Sequence, residues 1–302
     1  MSVRVGTAGW TDKSLVQLGT FYPRGASTPE ARLRHYASEF SLVEADAPFY
    51  ALPSAATTRA WAERTPPGFV FDVKAFALLT GHPFRAAALP RDLRAALPRH
   101  LQDAPRLRAE QTPDAIADEV WARFREALRP LEEADKLGAV LMQFPPWLRA
   151  SRDSAGVVKR AVERLGLPAS VELRHETWLD ATHRERTFHF LRTLGLPFVC
   201  VDMPQGFASS LPPVARATSR SLAVVRFHGR NTATWEAKLP TASLRFDYLY
   251  TKDELEPWVA RIAELAEEAA EVHVVMNNCH EDKAIRNARD MRELLAQRGI
   301  AA

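Results

Sequence analysis

Short runs of apolar and β-branched residues recur along the chain, separated by segments with helical periodicity. Continuous apolar runs are typical of strands in a parallel sheet, because helices cover both faces of such a sheet. The pattern predicts eight parallel strands: Val3 to Ala8, Leu42 to Ala47, Phe69 to Ala75, Ala139 to Phe144, Ser170 to Arg174, Phe198 to Met203, Leu222 to His228 and Val272 to Asn277.

Helix signals fill the gaps between these runs. Thr28 is placed to cap a helix that starts at Pro29, and Ser54 can cap the next one. Gly166 follows an amphipathic stretch, and Thr251 opens a capping box with Glu254. Regular alternation of strand and helix favours a closed barrel over an open sheet. We therefore predict a single (β/α)8 (TIM) barrel over residues 1–302.

One interval is too long for a single helix. Residues 76–137 separate the third and fourth strands, and Thr112-Pro113 begins a helix within them. The stretch 80–111 is rich in proline and arginine with little periodicity, so we expect few anchors to the core there. Loops that follow barrel strands lie at the mouth of the barrel, so this insertion is either a lid or inert decoration.

Composition narrows the class of protein. The chain has 302 residues, 46% of them hydrophobic and 25% charged, as expected for a globular protein with a large core. The pI is about 9.0, yet the 40 basic residues are nearly matched by 37 acidic ones, so basicity alone does not require a nucleic-acid partner.

Nothing in the sequence predicts export or a membrane partner. The apolar runs are too short to cross a bilayer, and the N-terminus lacks the apolar core of a signal peptide. Cys200 and Cys279 fall on strands six and eight, which are not neighbours in a barrel, so we predict two unpaired thiols in a cytoplasmic protein.

Polar side chains concentrate where the strands end. Alternate residues of a barrel strand point inward, and those near its C-terminal end reach the mouth. The positions concerned are Glu44, Asp46, Asp72, Lys74, Gln143, Glu172, Arg174, Asp202, Arg226, His228, Arg230, Asn277, Asn278 and His280. Burying an unpaired ion costs several kcal/mol, so this set predicts a functional pocket; a structural ion-pair network that plugs the barrel is the alternative.

Three chemistries fit these residues. In the first, Glu44, Lys74, Glu172 and Asp202 are catalytic through carboxylate acid–base chemistry, and the other pocket residues bind substrate. In the second, a divalent metal lies among the carboxylates with His228 or His280, although no metal-site spacing supports it. In the third, Lys74 forms a Schiff base, which neighbouring carboxylates disfavour by raising its pKa. The sequence contains no motif typical of an organic cofactor, and no glycine-rich phosphate loop follows the first strand.

The acid–base hypothesis makes a geometric prediction. Arg174 and Arg226 lie near the ends of strands five and seven, which contribute to the same interior layers of a barrel. We predict that they capture a carboxylate or phosphate together with His228, and that Glu172 faces the same space. If Glu172 instead pairs with Arg226, that part of the site is closed to ligands.

The same residues carry a family resemblance. The motifs in order are Val5-Gly-Thr-Ala-Gly-Trp10, Gly19-Thr-Phe-Tyr-Pro23, Val43-Glu-Ala-Asp-Ala-Pro-Phe-Tyr50, Trp61-Ala-Glu-Arg-Thr-Pro66, Val171-Glu-Leu-Arg-His175, Arg226-Phe-His-Gly-Arg230, Arg245-Phe-Asp-Tyr-Leu-Tyr250 and Asn277-Asn-Cys-His280 with Asn287-Ala288. Over nearly the whole chain they resemble the YecE-like family, known as domain of unknown function family 72. The resemblance implies a TIM barrel but no established reaction.

Carried over residue by residue, the resemblance implies a common set of functional positions. They are Glu44, Tyr50, Lys74, Glu172, Arg174, His228, Asn277, Asn278 and Asn287. The chain departs from the family pattern at Asp46, where Asn is frequent, and at Glu281-Asp282, where small residues are usual. The first departure adds an acid to the pocket, and the second argues against a close approach of ligand to the eighth loop.

Three functions remain open at this level. The first is an enzyme acting on a small anionic or phosphorylated, sugar-like substrate. The second is a nucleic-acid-binding or processing barrel resembling metal-dependent repair endonucleases. It rests on fold analogy and on the arginines of the insertion, which are Arg85, Arg91, Arg94, Arg99, Arg106 and Arg108. The third is a non-catalytic interaction scaffold. The oligomeric state is not predicted.

Overall fold

Eight parallel strands follow one another around a nearly closed barrel in the computed structural model, which describes residues 2–239 and 241–302. The strands are β1 (Ser2–Ala8), β2 (Leu42–Ala45), β3 (Val70–Lys74), β4 (Leu137–Gln143), β5 (Ala169–Glu172), β6 (Val199–Asp202), β7 (Leu222–Phe227) and β8 (Glu271–Met276). The pairing order is β5-β4-β3-β2-β1-β8-β7-β6. A parallel bridge between Val171 and Phe198 connects the two ends of this order. The predicted TIM barrel is confirmed.

Helices surround the strands where the sequence places them. They are α1 (Lys13–Leu18), α2 (Pro29–Glu39), α3 (Ala55–Glu63), α4 (Arg91–Ala96), α5 (Asp114–Glu133), α6 (Arg152–Leu165), α7 (Arg184–Thr193), α8 (Lys252–Glu268) and α9 (Lys283–Gln297). The Thr28, Ser54 and Thr251 side chains accept the expected N-cap hydrogen bonds.

The helix expected to begin at Thr112-Pro113 is α5. Pro113 occupies its N-cap position, and the Thr112 hydroxyl donates to the carbonyl of Arg108 (3.0 Å). In α6, Val157 is an exposed residue of the described surface.

The insertion is better anchored than its sequence suggests. Phe84, Leu93 and Leu107 are buried in the main hydrophobic core, and Phe84 pairs with Leu107 through an antiparallel bridge. The expectation of few core anchors over 80–111 is therefore wrong, because isolated apolar residues without periodicity still reach the core from a short helix and from irregular backbone. Motion of the insertion as a lid stays a prediction.

A buried ion pair fills the barrel toward the N-terminal ends of the strands. His273 of β8 and Asp72 of β3 are both buried, and Nδ1 of His273 lies 2.9 Å from Oδ2 of Asp72. Gly138 of β4 makes room for them, since a Cβ there would lie 2.6 Å from Oδ1 of Asp72 and 2.8 Å from Cε1 of His273. Asp72 thus belongs to the structural plug rather than to the mouth.

Candidate functional site

A cavity of about 1350 Å³ opens at the C-terminal ends of the strands. Residues that follow each of the eight strands line it, so the loops of all strands contribute to one concave space. Parallel barrels place their sites at this end, because the loops converge there above a packed interior. The cavity thus lies at the end of the barrel where the sequence predicts the pocket.

Arg226 of β7 lies beneath this cavity and holds two carboxylates. Its Nη2 lies 2.5 Å from Oε1 of Glu44, and its Nη1 donates to Oε2 of Glu172. The Arg226 and Glu172 side chains are fully buried, and Glu44 is 1% exposed. The prediction that Arg226 captures an anion is therefore wrong. Glu172 and Glu44 occupy its two Nη atoms, and the pairing with Glu172 is the alternative given above.

The pKa values of the two carboxyl groups that share Arg226 are shifted in opposite directions. Burial alone would raise the pKa of Glu172, but the Arg226 and Arg174 guanidinium groups hold it well below its usual range. Burial and, to a smaller extent, the nearby Asp46 raise the pKa of Glu44 to about 8 against the opposing effect of Arg226. At neutral pH the arrangement thus favours an ionised Glu172 and a protonated Glu44.

His228 is held as a neutral ring beside Glu172. The Asn277 amide Nδ2 donates to Nδ1 of His228 at 2.7 Å, which places the ring proton on Nε2. This Nε2 lies 3.3 Å from Oε1 of Glu172 but makes no hydrogen bond within the described residues. Burial lowers the pKa of His228 and outweighs the opposing effect of Glu172, so that the pKa falls to about 3. Asn277 lines the cavity, while His228 lies behind the wall.

Arg174 and Arg245 bring positive charge to the cavity wall. The Arg174 Nε lies 3.2 Å from Oε1 of Glu172, and its guanidinium carbon lies 5.1 Å from the centre of the Trp235 ring. The Arg174 Nη1 and the Arg245 Nε are buried without a hydrogen-bond partner in the described part of the chain. Leaving such donors unsatisfied costs about 1–3 kcal/mol each, or more for charged groups.

Asp46 and Lys74 form a second charged pair at the wall. The Lys74 Nζ lies 3.7 Å from Oδ1 of Asp46 and 4.7 Å from the centre of the Phe49 ring. Oδ1 of Asp46 is buried and accepts no hydrogen bond from the described residues. Gln143 also lines the cavity, and its amide donates to Oε1 of Glu172 at 2.6 Å. These three residues lie where the sequence predicted them.

Asp202 and Arg230 lie outside the cavity lining. Arg230 binds both oxygens of Asp202, at 2.8 and 2.7 Å, and Trp258 Nε1 and the Tyr250 hydroxyl donate to the same carboxylate at 2.8 Å each. Every Asp202 oxygen is therefore already bonded within the fold. The hypothesis that Asp202 is catalytic and Arg230 binds substrate is not supported by this placement.

Asn278 and His280 also lie behind the cavity wall. The Asn278 amide donates to the Tyr248 carbonyl and to Oδ1 of Asn287, both at 2.8 Å. The Nε2 atom of His280 lies 3.9 Å from Oδ2 of Asp247. Asn278 and Asn287 thus fasten the long loop between β7 and α8, which carries Trp235 and Arg245 to the cavity.

The sequence missed most of the aromatic lining. Trp10, Trp61, Trp147, Trp235, Phe246 and His82 all face the cavity, as do Arg245 and Arg106. Most of them lie in loops without fixed periodicity, so no local pattern shows which side chains turn inward. Trp10, Trp61, Arg245 and Phe246 carried a signal, since each belongs to one of the family motifs.

Neither a metal-binding cluster nor a membrane-crossing helix occurs among the described residues. No group of three or more His, Cys, Asp and Glu side chains comes together in a way that could hold a metal ion. None of the described helices combines the length and apolar character that crossing a bilayer requires. Both cysteines are free, as predicted.

The fold and the cavity define the chain as a TIM barrel with a charged, aromatic-lined site at the C-terminal ends of its strands. The family model described as "Protein of unknown function DUF72" matches residues 4–301, and the chain belongs to this family. This confirms the resemblance seen in the motifs.

A relative in sequence and two solved structures agree with this assignment. The UPF0759 protein YunF of Bacillus subtilis (strain 168) is 30% identical over 297 residues, which cover 97% of this chain and 94% of YunF. A DUF72 family protein of Thermotoga maritima MSB8 is 28% identical, with a TM-score of 0.76 over 98% of this chain and 100% of its own. One from Enterococcus faecalis V583 shares the fold at 24% identity and a TM-score of 0.76, over 97% of this chain and 95% of its own.

Proposed function

We propose that this protein is an enzyme that binds a small anionic or phosphorylated, sugar-like molecule and acts on it by carboxylate acid–base chemistry. The charge of the cavity wall carries the proposal. Seven cationic side chains line it, against only three carboxylates, Asp12, Asp46 and Glu236. The cationic set is Arg32, Arg64, Lys74, Arg106, Arg149, Arg174 and Arg245.

The unsatisfied donors give the anion a position. Arg174 Nη1 and Arg245 Nε have no partner among the described residues, and Arg174 is held in place by Glu172 and Trp235. A guanidinium that is bonded on one side and keeps an unsatisfied N–H group on the other suits a phosphate or carboxylate, whose oxygens accept charge-assisted hydrogen bonds. Glu172, being fully buried and bonded, positions Arg174 and does not reach the ligand.

Of the three carboxylates at the cavity, Asp46 is the one paired with Lys74, so it is the proposed base. Lys74 beside it is placed to stabilise negative charge that develops on the substrate. Glu44, two residues earlier, is buried and bonded to Arg226, so it does not reach the ligand. Its pKa is raised by burial to about 8, so at neutral pH it holds a proton and adds no second negative charge beside Asp46. Asp46 accepts the proton as a base and, once protonated, can return it as an acid.

Binding of ribose 5-phosphate and inorganic phosphate, measured by isothermal titration calorimetry, tests the anion site. We expect Arg174→Gln to weaken phosphate binding about 10- to 100-fold, the effect of removing a hydrogen bond to a charged group. Arg129→Gln, on the exposed outer surface of α5, is the matched control and should leave it unchanged. No phosphate binding by the wild type, together with salt-sensitive binding of arbitrary duplex DNA, would support the nucleic-acid alternative instead.

Turnover is tested by exposing the protein to a pool of phosphorylated metabolites and following depletion by mass spectrometry. We expect Asp46→Asn to bind phosphate normally and to lose turnover, because the amide cannot accept the proton. Turnover that survives in this variant contradicts the role given to Asp46.

A further inference from the structure

Four aromatic side chains form a continuous arc along one side of the cavity. Their order is Tyr50, Phe49, His82 and Trp147, and neighbouring ring centres are 5.2, 5.2 and 5.8 Å apart. The rings meet edge to face, at 86°, 79° and 68°. They come from the loops after β2, β3 and β4, so three separate loops build one aromatic surface.

The two ends of the arc are unusually exposed. Tyr50 is 63% exposed and Trp147 is 56% exposed, more than any other large hydrophobic side chain that is exposed in the described chain. Both line the cavity. Aromatic faces held open to water in a concave site are available for stacking against a flat ligand.

The middle of the arc is fixed and uncharged. Thr80 Oγ1 lies 2.9 Å from Nδ1 of His82, and the Lys74 ammonium covers one face of Phe49. Burial, together with Lys74 and Arg174, lowers the pKa of His82 to about 3, so the ring is neutral. The same two cations belong to the proposed anion site, which therefore lies within electrostatic reach of the arc.

The cavity is also larger than a simple sugar phosphate needs. At about 1350 Å³ it exceeds the roughly 300–1,000 Å³ of an ordinary small-molecule pocket. A ligand with a phosphate at one end and a flat ring at the other would use both the cationic wall and the aromatic arc.

We propose that the ligand is a nucleotide-like phosphate ester, with its heteroaromatic ring stacked on Tyr50 and Trp147 and its phosphate near Arg174. The inference rests on the proposed function, since it adds a ring to the anion proposed there. Stacking of a base on an aromatic side chain contributes about 1–3 kcal/mol, so the ring should be visible in the affinity.

Calorimetric titration of adenosine 5′-monophosphate and of ribose 5-phosphate tests the inference. We expect the mononucleotide to bind the wild type at least about tenfold more tightly. Tyr50→Ala and Trp147→Ala should each weaken it about 5- to 150-fold while changing ribose 5-phosphate less than about twofold. Tyr50→Phe, which keeps the ring, should retain most of the affinity. Val157→Ala, which shortens an exposed apolar side chain of α6 outside the cavity, should change neither.

The outcomes separate the two proposals. If both phosphates bind equally in every variant, the ring inference is wrong and the anion site stands. If neither binds, the proposed function itself fails. If a ten-residue oligothymidylate binds more than tenfold more tightly than the mononucleotide, the site takes single-stranded nucleic acid and the free-nucleotide inference is overturned.

Discussion

The Nδ1 atom of His273 lies 2.9 Å from Oδ2 of Asp72, joining β8 to β3 across the interior of the barrel. Burial would lower the pKa of His273, but Asp72 and Glu271 raise it to about 9. Because the folded protein binds this proton more tightly than the unfolded chain, the pair stabilises the fold fully below pH ~6.5. That contribution is lost as the pH rises through about 9.

We therefore expect the free energy of unfolding to fall by roughly 3 kcal/mol between pH 6 and pH 10 through this group alone. Urea unfolding at a series of pH values measures it. His273→Gln should be less stable at pH 6, and its stability should depend less on pH over this interval. An unchanged pH slope in the variant would show that other groups are responsible.

Glu172→Gln and Glu44→Gln should lower the free energy of unfolding by different amounts, although both carboxyl groups bind Arg226. Glu172 is ionised and compensates Arg226 and Arg174, so its amide leaves buried positive charge and should cost about 3–5 kcal/mol. Glu44 holds a proton at neutral pH, and an amide replaces a neutral carboxyl at about 1 kcal/mol or less. Chemical denaturation at pH 7 compares them; equal losses would contradict the assigned protonation states.

Nitrogen-15 NMR of the histidine rings tests the environment of His228. We expect a neutral ring protonated on Nε2 from pH 5 to pH 8, since burial lowers its pKa to about 3 and Asn277 donates to Nδ1. His189, for comparison, is exposed on α7 and should give the shifts of a solvent-exposed ring. A midpoint near 6.5 for His228 would contradict its burial as a neutral group.

Gly138→Ala and Gly156→Ala form a matched pair of glycine substitutions. A methyl group at position 138 would lie 2.6 Å from Oδ1 of Asp72, so we expect a loss of about 1–3 kcal/mol from overpacking. At position 156, inside α6, the nearest atom is 3.1 Å away at the end of the flexible Arg160 side chain. Replacing glycine in a helix there should stabilise the protein by about 0.5–1 kcal/mol. Thermal and urea unfolding measure both variants, and equal effects would refute the steric argument.

The elements of the fold could be predicted from the sequence because their signals are local. Apolar runs of strand length, the caps at Thr28 and Thr251 and the stop at Gly166 depend on neighbours within one turn or one strand. The end of the barrel that carries the site followed from the polar residues at the strand ends. The insertion was harder to predict, since its leucines reach the core from a short helix and from irregular backbone.

The tertiary structure alone decided which of these polar residues share a space. The alternation of side chains along the strands predicted that Arg174 and Arg226 share the barrel interior. Only the packed barrel shows that Arg226 is paired with Glu44 and Glu172, whereas Arg174 lies at the cavity wall with an unsatisfied donor. Asp202 lies outside the cavity because it bonds to Arg230 and Trp258, which are 28 and 56 residues away in sequence. The sequence by itself determined the barrel and its charged end; the assignment of each charge depended on long-range pairing, because ion pairs form between side chains that no local pattern connects.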